Sequence, residues 1–262
     1  MQMKSIEDIE SKSDKVSHHG YHRFYERFLA PFVGKNILML ELGYENGYSI
    51  ELWKKYFEEV RIHSIDISEN PNDARIEKYF QIDQSSTEQL ENFTNSNLEK
   101  YDFIIDDASH VPLHQWETFI QFFEILKDGG IYIIEDVETS FWKQSEIFGY
   151  QFNSNEFSLF QKIPTIWEAI NQEFIENSEK LAETSTREQT TIQQIASVFI
   201  GTNCIIFEKK SDKNKHYYRT NVEYRHKDFI NFKKRIKNST IVKTNTNKKQ
   251  HSISIYIAFT LD

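Results

Sequence analysis

The stretch KNILMLELGYENGYSIELW, residues 35–53, decides the fold. A short apolar run ends in an acid, Glu41. A loop with Gly43 and Gly47 follows, and then apolar residues recur at Ile50, Trp53 and Phe57 with helical spacing. The order is strand, glycine loop, helix. Downstream the chain repeats that alternation. EVRIHSID (59–66), KYFQID (78–83), YDFIID (101–106) and IYIIED (131–136) read as further strands, and STEQLENFTN (86–95) as a helix with Ser86 or Thr87 near its start. PLHQWETFIQFFEILKDGG (112–130) reads as a helix that opens on a proline, carries Trp116, Phe119, Ile120, Phe123 and Leu126 on one face, and stops at Gly129-Gly130.

Short continuous apolar strands alternating with helices imply an α/β fold: a doubly wound, Rossmann-like, mostly parallel sheet with helices on both faces. Ligands bind such sheets beyond the carboxyl ends of the strands. Five consecutive strands deliver acids to that rim: Glu41, Asp66, Asp83, the pair Asp106-Asp107, and the pair Glu135-Asp136. After Asp136 the pattern loosens into an aromatic-rich segment read as a long loop, helices over about 158–176 and 185–195, and two strands about a tight Gly201-Thr202-Asn203 turn. A basic amphipathic helix and a last alternating strand follow. The expected organisation is one domain over 1–210, with 1–35 as a helical lid segment, and a small basic C-terminal extension over 211–262.

The 262 residues are 39% hydrophobic and 27% charged, with a net charge of −9. The charge is uneven: residues 209–250 hold 14 Lys and Arg against three acids, leaving an acidic main body. An acidic body argues against nucleic acid as substrate. The basic stretch suits a solvated appendage or a docking surface. No long uncharged apolar run is present, so no membrane span is expected. The single cysteine, Cys204, excludes a disulfide framework and a thiolate metal cluster. A soluble, cytoplasmic protein is the expectation.

The glycine loop is not a dinucleotide fingerprint, which needs G-x-G-x-x-G beside a pyrophosphate. Here the spacing is Gly43-x-x-x-Gly47, with Glu41 and Glu45 beside it. Two carboxylates repel a diphosphate and suit a cationic ligand, and S-adenosylmethionine carries a sulfonium and an amino group. Asp66, 19 residues beyond Gly47, is placed to accept from ribose hydroxyls. Asp83 and Gln84 are placed to read the adenine edge, and Asp106 is assigned to the cofactor side. Asp107, Glu135 and Asp136 are the candidate metal ligands. Converging carboxylates repel without a cation, and hard oxygen donors without cysteine select Mg²⁺, or else Mn²⁺ or Ca²⁺. His110, three residues after Asp107, is the candidate general base for a substrate hydroxyl. Phe141, Trp142, Phe148, Tyr150 and Phe152 are either an acceptor wall or packing for a lid.

The segments SDKVSHHGYHRFYERFL, ILMLELGYENGYSIELW, FIIDDASH and GGIYIIEDVETSFW resemble the class I S-adenosylmethionine-dependent methyltransferases, and within them the metal-dependent sugar O-methyltransferases of macrolide biosynthesis. The resemblance covers residues 13–142. It implies Mg²⁺ on Asp107, Glu135 and Asp136, and His110 as base; the expected acceptor is a sugar hydroxyl, free, nucleotide-linked or within a glycan, which the acidic rim favours over a polyanion. It departs at the first loop, where Tyr44 or Glu45 stands in place of a further glycine. Lys15, His18 and Tyr21 are candidates without assigned roles. Two other readings stand beside this one: a metal-dependent glycosyltransferase, and a non-catalytic binding protein that works through its basic tail. A homo-oligomer is open.

Overall fold

The computed structural model describes residues 5–147, 149–153, 156–171 and 184–212. The chain divides into two compact units, Met1–Thr220 and Asn221–Asp262. The second lies wholly outside the described residues, and with it the expected basic helix and last strand. So do residues 172–176 of the expected helix and Phe148.

In the first unit an N-terminal segment carries α1 (Asp14–Ser17) and α2 (His22–Leu29). Then follow β1 (Ile37–Leu42), α3 (Tyr48–Tyr56), β2 (Val60–Asp66), β3 (Lys78–Gln81), α4 (Thr87–Ser96), β4 (Tyr101–Asp106), α5 (Pro112–Phe122) and β5 (Leu126–Glu135). After β5 come a hairpin of β6 (Ser145–Ile147) and β7 (Tyr150–Phe152), then α6 (Ile163–Ile170), α7 (Thr186–Ile192), β8 (Ile195–Gly201) and β9 (Cys204–Lys209). The seven-stranded sheet has the order β3-β2-β1-β4-β5-β9-β8. The first five strands are parallel, and β9 runs antiparallel between β5 and β8. Strand order reverses between β1 and β4, whose last residues Leu42 and Asp106 are in register. A crevice opens at such a reversal.

Local rules place the elements. Every residue of β1 is buried, as a central parallel strand requires. Gly47 caps α3 at φ +65°. The Ser86 hydroxyl caps α4 by accepting from Gln89 N. Pro112 opens α5.

Two expectations change. The helix of 112–130 ends at Phe122, a 3₁₀ turn covers Phe123–Ile125, and β5 begins at Leu126. Gly129 and Gly130 mark an irregularity inside β5, where pairing with β4 jumps from Tyr101↔Leu126 to Phe103↔Ile131. The aromatic segment after Asp136 is not an open loop: it holds a 3₁₀ turn, Val137–Phe141, and the β6–β7 hairpin.

Side chains alternate across the sheet and divide the core. Leu38, Leu40, Leu42, Ile104, Tyr132 and Ile134 pack on one face with residues of α4 to α7. Ile37, Met39, Phe103, Ile105, Ile131 and Ile133 pack on the other with α2 and α3. By the same alternation Glu41 and Glu135 belong to the α2–α3 face, and Asp106 to the opposite one.

Candidate functional site

At the carboxyl ends of β1, β2, β4 and β5 lies a cavity of about 570 Å³. The β1–α3 loop forms one wall. Gly43 sits at φ +90°, and a Cβ there would come within 2.0 Å of the Asp107 carbonyl oxygen. Only glycine lets the β1–α3 and β4–α5 loops approach so closely. Glu45, in the stretch where the resembled family has a further glycine, adopts φ +45°. The loop therefore keeps a left-handed residue without the glycine, at a cost of about 1–2 kcal/mol. The Tyr44 amide donates to Asp66 Oδ2 at 2.7 Å, and Ser68 N donates to Oδ1 at 2.8 Å. These bonds fix the Asp66 carboxylate at the cavity wall with lone pairs to spare.

Gln84 also lines the cavity, but its amide serves as a brace. Nε2 donates to both oxygens of Asp106 at 2.8 Å, and Oε1 accepts from Ser109 N at 2.9 Å. Asp106 itself is fully buried behind the wall, and burial pushes its carboxyl up to about 7. Asp83 stands beside the cavity rather than in its wall. It accepts from Tyr150 Oη at 2.6 Å and from Ser85 N at 2.8 Å. Burial raises its pKa, and the bonds from Tyr150 and Ser85 with the charge of His114 together outweigh that, leaving it below the usual carboxylate value.

The other end of the cavity is the acid end. Asp107, His110 and Asp136 each present a ligand atom there, all within 4.8 Å of one another. His110 Nε2 lies 3.2 Å from Asp107 Oδ1, and Nδ1 lies 3.5 Å from Asp136 Oδ2. Burial lowers the imidazole pKa, but the hydrogen bond and charge of Asp107 and the charge of Asp136 outweigh it and leave the group more basic than usual. Both His110 (φ +54°) and Asp136 (φ +52°) are left-handed non-glycine residues. Their surroundings hold them so. The Tyr21 hydroxyl donates to Asp136 Oδ1 at 2.5 Å and accepts from Asp136 N, and Asn203 Nδ2 donates to the same carboxylate at 2.8 Å. Such over-determined strain gathers at functional sites.

Glu135, expected as a third ligand of this group, points to the α2–α3 face instead. Lys15 Nζ donates to its Oε2 at 2.7 Å, and the Tyr25 hydroxyl donates to Oε1. Lys15 also donates to Asp107 Oδ2 and lies 3.8 Å from Glu41. Glu41 does not reach the cavity either. Trp53 Nε1 donates to its Oε1 at 3.2 Å, its Oε2 has no partner among the described residues, and burial pushes its carboxyl up to about 7. Three acids on the expected rim, Glu41, Asp106 and Glu135, thus back the walls rather than line them, because side chains alternate along a strand.

Of the unassigned N-terminal candidates, Lys15 and Tyr21 are buried at the acid end and His18 is exposed. Its neighbour His19 lines the cavity, 3.5 Å from Asp136, with its ring stacked on Tyr21. Neither His19 nor Tyr25 nor Asn203 was distinguished by sequence pattern. Only the turn around Asn203 was, and that is where its left-handed backbone arises. Of the aromatic stretch, Tyr150 lines the cavity, while Phe141 stacks on Phe160 and Trp142 on Phe152.

The donor set suits a hard divalent ion: two carboxylates and an imidazole converge, with no thiolate. The cavity volume falls in the range of ligand pockets, and the Gly43 close approach with the fixed Asp66 suits a nucleoside.

No protein-family model matches the chain. Among curated proteins it is 31% identical over 138 residues to 8-demethyl-8-alpha-L-rhamnosyl tetracenomycin-C 2'-O-methyltransferase of Streptomyces olivaceus, covering 50% of this chain and 36% of that one. It is 30% identical over 133 residues to mycinamicin VI 2''-O-methyltransferase of Micromonospora griseorubida, covering 47% and 33%. The matched part thus spans about a third of those relatives' own length. Among solved structures it superposes on a methyltransferase from the mycinamycin biosynthetic pathway in complex with Mg and SAH, with a TM-score of 0.61 and 24% identity over 74% of this chain and 49% of that one. A second structure, with Mg, SAH and mycinamycin VI, gives a TM-score of 0.63 and 20% identity over 82% and 57%. No helix among the described residues is long and apolar enough to cross a membrane. The fold is that of the class I S-adenosylmethionine-dependent methyltransferases, and across about half of its length the chain is similar in sequence to the macrolide and tetracenomycin sugar O-methyltransferases.

Proposed function

We propose that residues 1–210 form a divalent-cation-dependent O-methyltransferase, which moves the methyl of S-adenosylmethionine to a hydroxyl of a sugar, free or within a glycoside. One observation carries this reading: a nucleoside-type wall and an acid–imidazole cluster face each other across one cavity at the strand-order reversal. The relatives, named for O-methylation of rhamnosyl and olivosyl groups, support the choice of acceptor class.

The β1–α3 loop lies along the cofactor, and Asp66 accepts from its ribose hydroxyls. Gln84, locked by Asp106 and Ser109, supplies a firm wall beside the base. Asp107 and Asp136 hold the cation, Mg²⁺ in the first instance. When bound, the cation would lower the pKa of an acceptor hydroxyl and offset the carboxylate charge that makes His110 more basic than usual. His110 donates its Nε2–H to Asp107, which leaves the lone pair on Nδ1, the atom that takes the hydroxyl proton. The deprotonated hydroxyl oxygen would attack the S-methyl carbon in line, the O–C bond forming as the S–C bond breaks, with S-adenosylhomocysteine as the neutral leaving group. Positioning by the two walls supplies much of the rate. From the N-terminal segment Asp14 and His19 line the cavity at the acid end, and Lys12 lines it over the Tyr48 ring.

Calorimetric titration of S-adenosylhomocysteine tests the cofactor half. Saturable binding that Asp66→Ala weakens is expected. No binding to the unaltered protein contradicts the proposal.

A further inference from the structure

Five carboxylates, those of Glu41, Asp106, Asp107, Glu135 and Asp136, gather at the ends of three adjacent strands, β1, β4 and β5. Carboxylates packed this closely repel one another when ionised, so those that stay charged and dry need a counter-charge. The N-terminal segment delivers one. Lys15 is 1% exposed, and its ammonium donates to Asp107 Oδ2 and to Glu135 Oε2, with Glu41 Oε1 at 3.8 Å. Asp107 is shared: its other oxygen faces His110 and, through it, Asp136. One side of Asp107 is therefore bound to a cation that the chain itself carries, and the other side opens on the cavity.

We infer that Lys15 is the internal counter-ion of this cluster: it balances Asp107 and Glu135 when no divalent ion is bound, competes with that ion for Asp107, and so sets how tightly the ion is held. The inference rests on the divalent site proposed above. Lys15 is a positioning residue on this account, since it acts on the ion through carboxylates that it already holds. The account explains why a lysine is buried among groups that resemble a ligand set. A purely structural ion pair would hold the N-terminal segment to β5 and leave ion affinity unchanged.

The test is Mn²⁺ binding to the full chain, followed by electron paramagnetic resonance of free Mn²⁺, without cofactor or acceptor. The variants are Lys15→Met, which keeps the stem and removes the charge, and Lys15→Arg, which keeps the charge. Removing a positive charge a few ångströms from a divalent site should tighten Mn²⁺ binding by at least about tenfold. Lys15→Arg should bind within a few-fold of the unaltered protein. Lys15→Met should also gain more thermal stability from Mn²⁺ than the unaltered protein does. Unchanged or weaker Mn²⁺ binding by folded Lys15→Met overturns the inference. If Lys15→Met folds only when Mn²⁺ is present, the inference stands; if it folds under neither condition, Lys15 is structural and the inference falls. Absence of Mn²⁺ binding to the unaltered protein removes the metal from the proposed function itself, an outcome distinct from either.

Discussion

At one end of the cavity the walls come from neighbouring pieces of chain. Gly43, Tyr44 and Asp66 lie within one strand–loop–helix–strand unit, and the bond from Tyr44 N to Asp66 spans 22 residues. At the acid end, Lys15 reaches Asp107 across 92 residues and Glu135 across 120. Tyr21 reaches Asp136 across 115, and Asn203 reaches it across 67. The first end is a turn held by backbone geometry. The second is a set of like charges held by partners that only the finished fold supplies. A local wall should tolerate change in the far end, whereas the acid end should depend on each of its distant partners.

The largest effect expected falls on chemistry alone. His110→Ala should lower methyl transfer to a rhamnosyl or olivosyl glycoside by about a hundred- to ten-thousandfold. Calorimetry should find S-adenosylhomocysteine binding within a few-fold of the unaltered protein. Full activity in this variant would remove His110 from the mechanism.

A reciprocal pair tests whether the ends are separable. Asp66→Ala should weaken S-adenosylhomocysteine binding by about ten- to a hundredfold, the value of a charge-assisted hydrogen bond, and leave Mn²⁺ binding intact. Asp136→Asn should do the reverse. Variants that each lose both ligands would merge the two ends into one unit.

Gly43→Ala strikes the joint between them. Its methyl would collide with the Asp107 carbonyl, on a backbone already left-handed. A loss of about 2 kcal/mol or more in denaturant unfolding is expected, with both ligands bound more weakly. A variant with native stability would mean that the two loops part without cost.

The smallest effect is a pH dependence at the outer edge of the cofactor end. Arg75 holds the Asp73 carboxyl down at about 2, and Tyr44 Oη donates to it at 3.0 Å. Because the folded-state pKa is depressed, this contribution is present above the unfolded value near 3.8 and is lost as pH falls through about 2. Asp73→Asn should flatten the acid limb of the stability curve in that window and lower stability by a constant amount from pH 5 to 8, with no change of slope there.

These contrasts also decide what the sequence disclosed. Apolar runs, the Gly43 loop, Ser86 and Pro112 are local signals, and each specified the element on which it lies. The helix end at Gly129-Gly130 was misplaced because glycines punctuate a strand irregularity as readily as a helix terminus. The acids at the strand ends were legible as a set, but their directions needed the alternation carried through to the last residue. Odd positions such as Glu41 and Glu135 follow Met39 and Ile133 to one face, and Asp106 follows Ile104 to the other. Lys15 was legible only as a candidate and Asn203 only as part of a turn, and His19 and Tyr25 carry no local signal, since nothing near any of them in sequence says which strand end it will meet. Sequence alone therefore leaves the cluster looking like bare carboxylates, where the fold supplies an ammonium, two tyrosine hydroxyls and an amide.

The central claim is that the two ends serve one reaction, which requires the methyl group of the bound cofactor to lie beside the cation. Proton relaxation of S-adenosylmethionine, bound to the protein with Mn²⁺ in place of Mg²⁺, measures this directly. The account predicts that the S-methyl protons relax far faster than the adenine protons, and that Asp136→Asn abolishes the difference. Equal, weak relaxation of both sets, with both ligands bound, would place the cation away from the methyl and contradict the account.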